Sequence, residues 1–388
     1  MMRNQNLLTP GPLSLVECVK RQMLYDAGSR DLQFKKITRE LRAKILEVSG
    51  LKESHSVVPL QGSGTFVIEA ALLSLVTPQD KILLCINGDY SRRIKNILER
   101  NRFRFEFLSF KNDEQVSVDI VERKLRECPG ITHLCFVHCE TTLGIMNPYD
   151  VLIECSRKFG IVSIVDSMSA FGAVPVDCSH GGVDILISSG NKCVEAPPGV
   201  AFAIVRTEIL EHAKPEERAG YCLNLVDQWA RFELDGEWRF TPPTHTVQAF
   251  NKALELLLKE GISARYHRYM RLQEEIVARL GVLGFIPVLD EHLRAPVCVS
   301  FTAPAIIAND YDFSNYYNHL AKYNLYIYSK FDNATLSFRV GCIGQINRRL
   351  VDRFIAATSE YVEKRLYYIK QNKAVHVAPV IGAQDMMI

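Results

Sequence analysis

A lysine, an aspartate and a glycine-flanked pair of hydroxyls each close an apolar run in this 388-residue chain, and each suits a defined chemistry there. Lys192 ends Ile187-Ser188-Ser189-Gly190-Asn191-Lys192-Cys193. Withdrawal from water lowers the pKa of an amine and readies it for imine chemistry or proton transfer. Asp166 ends Ile164-Val165-Asp166-Ser167. A buried carboxylate is costly unless a donor or cation meets it, and a pyridinium N–H is one such partner. Gln61-Gly62-Ser63-Gly64-Thr65 follows a strand and opens a helix. Helix-terminal N–H groups there, with the Ser63 and Thr65 hydroxyls, can cradle a phosphate. Arg339, in Phe338-Arg339-Val340-Gly341, carries a planar fork that can grip a carboxylate or phosphonate through two hydrogen bonds. Tyr90 opens a helix and can stack on a ring face, and Glu140-Thr141-Thr142-Leu143-Gly144 offers hydroxyls at a strand end. Taken singly, each has a plainer role as well: a surface lysine, a capped turn, an N-capped helix, a structural ion pair or a core tyrosine.

The elements that must position these groups form an alternating series. Apolar, β-branched runs occupy Val57–Gln61, Lys81–Asn87, Phe103–Phe110, His133–Cys139, Ile161–Ser167, Asp184–Ser189 and Val200–Arg206. Several are apolar throughout, as strands covered on both faces are. Helix patterns over Thr65–Val76, Tyr90–Asn101, Val118–Glu127 and Asp150–Phe159 lie between them. This predicts an α/β fold whose seven-stranded, mostly parallel sheet lies between helices, with ligands at the carboxyl ends of the strands. A helix-prone stretch, Pro215 to Gly284, leads to short strands at Val297–Thr302, Leu325–Tyr328 and Leu336–Val340 and helices at Tyr311–Tyr323 and Asn347–Ile369, a smaller α+β domain. The expected division is a large domain over 14–250, a small domain over 251–372 joined by the N-terminal segment 1–13, and a tail over 373–388.

Composition narrows the function. Net charge is +2 with no long block of either sign, which gives nucleic acid or a membrane surface no electrostatic footing. No run of about 20 apolar residues crosses a bilayer, and the N-terminus does not read as a signal peptide. Eleven cysteines sit mostly in apolar runs without a CxxC, so reduced thiols in a cytoplasmic protein are expected, and no metal site. Gly62-x-Gly64 imitates a dinucleotide fingerprint, but Val67 stands where its third glycine belongs.

The order of phosphate cradle, aspartate and lysine, each at a strand end of one α/β array, resembles that of fold-type I pyridoxal-phosphate (PLP) enzymes. Leu8-Thr9-Pro10-Gly11-Pro12-Leu13, Leu60-Gln61-Gly62-Ser63-Gly64, His138-x-Glu140-Thr141-Thr142-x-Gly144, Val165-Asp166-Ser167-Met168-Ser169, Ser189-x-Asn191-Lys192-Cys193 and Arg239-Phe240-Thr241-x-Pro243-Thr244-His245-Thr246 resemble the class V aminotransferases. The resemblance runs from about Leu7 to about Tyr368. It implies a homodimer with shared active sites and a ping-pong, reversible transamination of phosphonate metabolism, from 2-aminoethylphosphonate to pyruvate, yielding phosphonoacetaldehyde and alanine. Alanine– or serine–glyoxylate transamination is the alternative. A desulfurase would want a mobile loop cysteine, and Cys193 beside the lysine is poorly placed for that. By the same resemblance Lys192 forms the imine with PLP and Asp166 meets the pyridine nitrogen. Ser63, Gly64 and Thr65 hold its phosphate, Tyr90 stacks on its ring and Thr141 lies near its phenolic oxygen. Met168 and Asn191 complete the cofactor site, Thr241 reaches the phosphate of the other subunit, and Arg339 and Gly11 contact substrate. Three stretches depart from the family pattern near the substrate: Ser29-Arg30-Asp31, Tyr328-Ser329-Lys330 and Gly341-Cys342-Ile343-Gly344.

Overall fold

Strands buried on both faces pair in the middle of a sheet; the seven apolar runs join one sheet here, five inside it and two at its edges. The computed structural model describes residues 4–51, 54–176, 182–215, 220–329 and 337–375. The strands are β1 (His55–Gln61), β2 (Ile82–Ile86), β3 (Phe105–Ser109), β4 (His133–Val137), β5 (Val162–Asp166), β6 (Ile185–Ser189) and β7 (Val200–Arg206). They lie in the order β1-β7-β6-β5-β4-β2-β3, and only β7 runs against the rest. β2, β4 and β6 are buried at every residue, whereas the edge strand β3 alternates toward solvent. Helices cover both faces, so the strands carry continuous apolar sequence rather than alternation. The parallel register sets Val137 beside Asp166 and Asp166 beside Ile187, which brings the carboxyl ends of β4, β5 and β6 to one edge.

Among the covering helices are α1 (Leu32–Ser49), α2 (Gly64–Leu75) and α3 (Asp89–Arg100). The Asp31 side chain accepts from Gln33 N at 2.7 Å to start α1, and Gly50, at φ +69°, ends it. α1 packs along α4 (Thr244–Glu260), whose Phe250, Leu254 and Leu257 belong to the same core as the large sheet. Residue 250 therefore lies inside one continuous helix. α5 (Ile262–Val282) follows directly after Gly261.

A second core gathers around a four-stranded antiparallel sheet formed by Ile286–Pro287, β8 (Cys298–Thr302), β9 (Ser337–Gly341) and Tyr328–Ser329. Asn6–Leu7 pairs with Leu325–Tyr326 and carries Leu8 into this core. Gly341 is required where that segment passes. A Cβ on it would lie 2.2 Å from the Thr9 backbone.

Three expectations need correction. The run Leu325–Tyr328 does not form one strand: it divides at Ile327, one part pairing with the N-terminus and the other with β9. The run His133–Cys139 stops at Val137, and Cys139–Glu140 turns back on Ile145–Met146 as a hairpin. The last helix, expected over Asn347–Ile369, runs from Arg348 to Val375. Leu336 and residues 376–388 lie outside the described residues.

Candidate active site

The carboxyl ends of β5 and β6 and the start of α2 enclose a cavity of about 180 Å³. Ser63, Gly64, Thr65, Tyr90, Arg93, Asp166, Met168, Asn191 and Lys192 line it. The residues expected from the sequence to hold one ligand thus meet in one place, Thr141 and Thr241 excepted.

Lys192 lies just past β6, and its Nζ donates to Pro10 O at 2.8 Å. The N-terminal segment therefore crosses over the lysine. Gly11, at φ +122°, lets it come close, since a Cβ there would lie 2.7 Å from Lys192 Cδ and 2.8 Å from Nζ. Cys193 is fully buried and its Sγ donates to Ser169 O.

Asp166 is the last residue of β5 and 4% exposed. One hydrogen bond reaches its carboxylate among the described residues, from Met168 N at 2.9 Å, and no ion pair does. Burial pushes the carboxyl up to about 7, further raised by Glu140, against the opposing pull of the Met168 N–H and the cations Arg93 and Lys192. With no ring bound, the folded state keeps a proton that the unfolded chain, titrating near 3.8, has lost. Stability is then greatest below about 3.8 and is lost as pH rises through about 7. Melts of cofactor-free protein should show the wild type losing stability relative to Asp166→Asn between about pH 5 and about pH 7. Parallel curves would refute this titration.

At the start of α2, the N-cap Ser63 hydroxyl makes no capping bond, and Thr65 Oγ1 accepts from Arg93 Nη1 at 3.2 Å. A Cβ on Gly64 would lie 2.2 Å from Met168 Sδ, so a larger residue there would make the Met168 side chain move aside. A helix start with an uncommitted hydroxyl fits a phosphate, a buried carboxyl with no ion pair among the described residues fits a protonated ring nitrogen, and an amine between them fits an aldehyde. The residues present therefore suit PLP.

Thr141 is buried, and its carbonyl accepts from Arg339 Nη1 at 2.8 Å. Arg339 Nη2 donates to Ser329 O at 3.1 Å, so the guanidinium ties the β9 strand to the hairpin after β4. Thr241 is exposed and stands outside the cavity. Its neighbours Arg239 and Phe240 line a separate cavity of about 450 Å³ together with Gly62 and Phe66.

Arg93 and the role of Glu140 escaped the sequence reading. The Glu140 carboxylate is fully buried and accepts from Tyr90 N at 3.3 Å, Ser91 N at 3.0 Å and Thr142 Oγ1 at 2.7 Å. One side chain thus fixes both the helix that carries Tyr90 and the turn that carries Thr141. Gly88 makes room for it, because a Cβ there would lie 2.2 Å from Glu140 Cδ. Arg93 sits one helical turn after Tyr90, and that i, i+3 spacing was the signal available for it.

Residues 20–321 match the family model described as Aminotransferase class-V. A 2-aminoethylphosphonate–pyruvate transaminase of Bacillus cereus (strain G9842) is 38% identical over 90% of this chain and 95% of its own. One from Bacillus thuringiensis (strain Al Hakam) is 37% identical over 92% and 97%. Among solved structures, a ureidoglycine–glyoxylate aminotransferase from Bacillus subtilis superposes with a TM-score of 0.84 at 21% identity, covering 94% of each chain. An alanine–glyoxylate aminotransferase from Nostoc sp. does so with the same score at 23% identity, covering 93% of this chain and 96% of its own.

Proposed function

This chain belongs to the class V aminotransferases, which are PLP enzymes, and on that footing we propose that it moves the amino group of 2-aminoethylphosphonate to pyruvate. The products are phosphonoacetaldehyde and L-alanine, and the exchange is reversible. The observation that carries the chemistry is the single cavity shared by Lys192, Asp166 and the start of α2. The donor is argued from the relatives that bear that name, similar over nine-tenths of the chain.

When bound, PLP supplies an electron sink for the charge left as a proton departs from the carbon bearing the amine. Lys192 Nζ is the base that takes this proton and the acid that returns one. The Asp166 carboxylate holds a proton on the ring nitrogen, which also settles its own charge in a buried place. Tyr90, Met168 and Asn191 line the same cavity, and Tyr90 would stack on the ring. Ser63, Gly64 and Thr65 would hold the phosphate, and Thr141, outside the cavity's lining, would serve the phenolic end of the ring. The Arg339 guanidinium, with Gly11 close to Lys192, receives the phosphonate of one substrate and the carboxylate of the other in turn. One acid site serving both halves suits a ping-pong order.

Thr241 is exposed in the single chain and adjoins a cavity beside the phosphate loop, which supports a homodimer in which it completes the partner's site. No helix among the described residues is long and apolar enough to cross a membrane. All ten described cysteines are free thiols, which is in keeping with a cytoplasmic setting.

The test uses the PLP-loaded protein. Adding 2-aminoethylphosphonate without a keto acid should abolish the visible absorption of the aldehyde form of the cofactor, and pyruvate should restore it with formation of alanine. Response to alanine or serine but not to 2-aminoethylphosphonate would overturn the substrate and leave the family intact.

A further inference from the structure

A phosphate carried into a half-buried cavity brings close to two negative charges, and a helix start offsets only about half of one. The cavity must find the remainder in side chains. Among the described residues lining it, the cations are Lys192 and Arg93. Lys192 is committed to Pro10 O and to the reacting end of the site. Arg93 makes no ion pair with any described carboxylate, although its neighbour Arg92 pairs with Asp89 at 3.0 Å. Its guanidinium is held over the Tyr90 ring, with Cζ 5.0 Å from the centroid, and points to the start of α2 through Thr65 Oγ1 at 3.2 Å. That bond occupies a lone pair of the Thr65 hydroxyl and leaves its hydrogen to donate elsewhere. A hydroxyl polarised in this way is a donor ready for an anion.

We propose that Arg93 binds the cofactor's phosphate together with Ser63, Gly64 and Thr65, and makes this site select the phosphorylated cofactor. The inference rests on the assignment of the phosphate to the start of α2. Arg93 acts on the phosphate in charge and through Thr65 in orientation, whereas Lys192 and Asp166 serve the ring. Tyr90 and Arg93, a turn apart on α3, therefore hold the ring face and the phosphate from one helix.

The experiment compares two ligands on cofactor-free protein: PLP, and pyridoxal, which has the same ring and no phosphate. Arg93→Met should weaken PLP about 10- to 100-fold, the range for a lost hydrogen bond to a charged group, and leave pyridoxal unchanged. Arg93→Lys keeps the charge without the fork and should lose less. If the Met variant does not fold, judged by its melt without cofactor, the Lys variant carries the same comparison. Equal weakening of both ligands would overturn the proposal, since a merely structural role gives that result. Unchanged PLP affinity with a raised KM for 2-aminoethylphosphonate would also overturn it and move Arg93 to the substrate's phosphonate. A wild-type protein that binds pyridoxal as tightly as PLP would overturn the phosphate assignment at α2 along with it.

Discussion

Lys192→Ala should lower kcat for alanine formation from 2-aminoethylphosphonate and pyruvate by at least about 10³-fold, within the range that a positioned acid–base group supplies. The loss should fall on kcat because the variant keeps the phosphate loop, Asp166 and Arg339. Binding of PLP should therefore survive in weakened form, without a covalent bond to the chain. Borohydride reduction followed by peptide mass analysis separates the cases: the wild type retains the cofactor on the peptide containing Lys192, and the variant retains none. The side chain also donates to Pro10 O at 2.8 Å, so its removal loosens the N-terminal crossing at Gly11. A change confined to that segment would raise KM and spare kcat. Near-normal kcat in the variant would refute the assignment of Lys192 as the acid–base group.

Much of this site was legible because parallel strands buried on both faces leave a plain signature. Their sequences are apolar throughout, so a charged residue at the end of one stands out. Lys192 and Asp166 are conspicuous for that reason, and the register between β4, β5 and β6 then brings them to one edge. The glycine-flanked hydroxyls before α2 were legible through the start of the helix. Antiparallel β7 was not, since an all-apolar run has the same sequence in either direction. The break of the 325–328 run between two sheets was equally hidden, because the partner of Leu325–Tyr326 is more than 300 residues away, at Asn6–Leu7.

Glu140 and Arg93 were missed for a different reason. Each acts through contacts made across the fold: Arg93 lies among other charged residues of α3 with no local contrast, and Glu140, although it follows an apolar run, sits beside Thr141 and Thr142 in what reads as a capped turn. Glu140 meets Tyr90 and Ser91 from a strand about 50 residues further on, so its burial could not be read from its neighbours in sequence. The substitutions near the substrate find partial explanation. Cys342 is fully buried and packed in the second core, where a thiol is accommodated as a small apolar group. Arg30 pairs at 3.8 Å with Glu237 and is otherwise exposed, and nothing in the single chain explains the departure of Ser29-Arg30-Asp31 from the family pattern.

Glu195→Ala should destabilise the protein by about 3 kcal/mol, the lower end of the range for breaking a buried ion pair. Glu195 lies three residues after Lys192 and is 5% exposed. Burial alone would raise its carboxyl, but the guanidiniums of Arg265 and Arg268 and the Tyr269 hydroxyl hold it below its ordinary value. Tyr269 OH donates to Oε1 at 2.6 Å, Arg268 Nη2 at 3.0 Å and Gly344 N at 3.3 Å, while Gln345 Nε2 donates to Oε2 at 3.1 Å. Arg265 Nη1 donates to Cys193 O at 2.6 Å. The network joins the loop that carries Lys192 to α5 and to the turn after β9. Glu260 still pairs with Arg265 at 2.8 Å and with Arg268 at 2.6 Å, which is why the lower end applies. Alanine tolerates the positive φ of +62° no better than glutamate, so the backbone term cancels in the comparison. Urea unfolding of the cofactor-free protein should show a lower midpoint with an unchanged slope. In the loaded enzyme kcat should fall as well, because the loop loses its tie to Gly344. Glu195→Gln keeps the shape and two acceptor lone pairs without the charge, and should fall between wild type and alanine in both measurements. A midpoint within error of the wild type for Glu195→Ala would show that the tie between the two cores is made elsewhere.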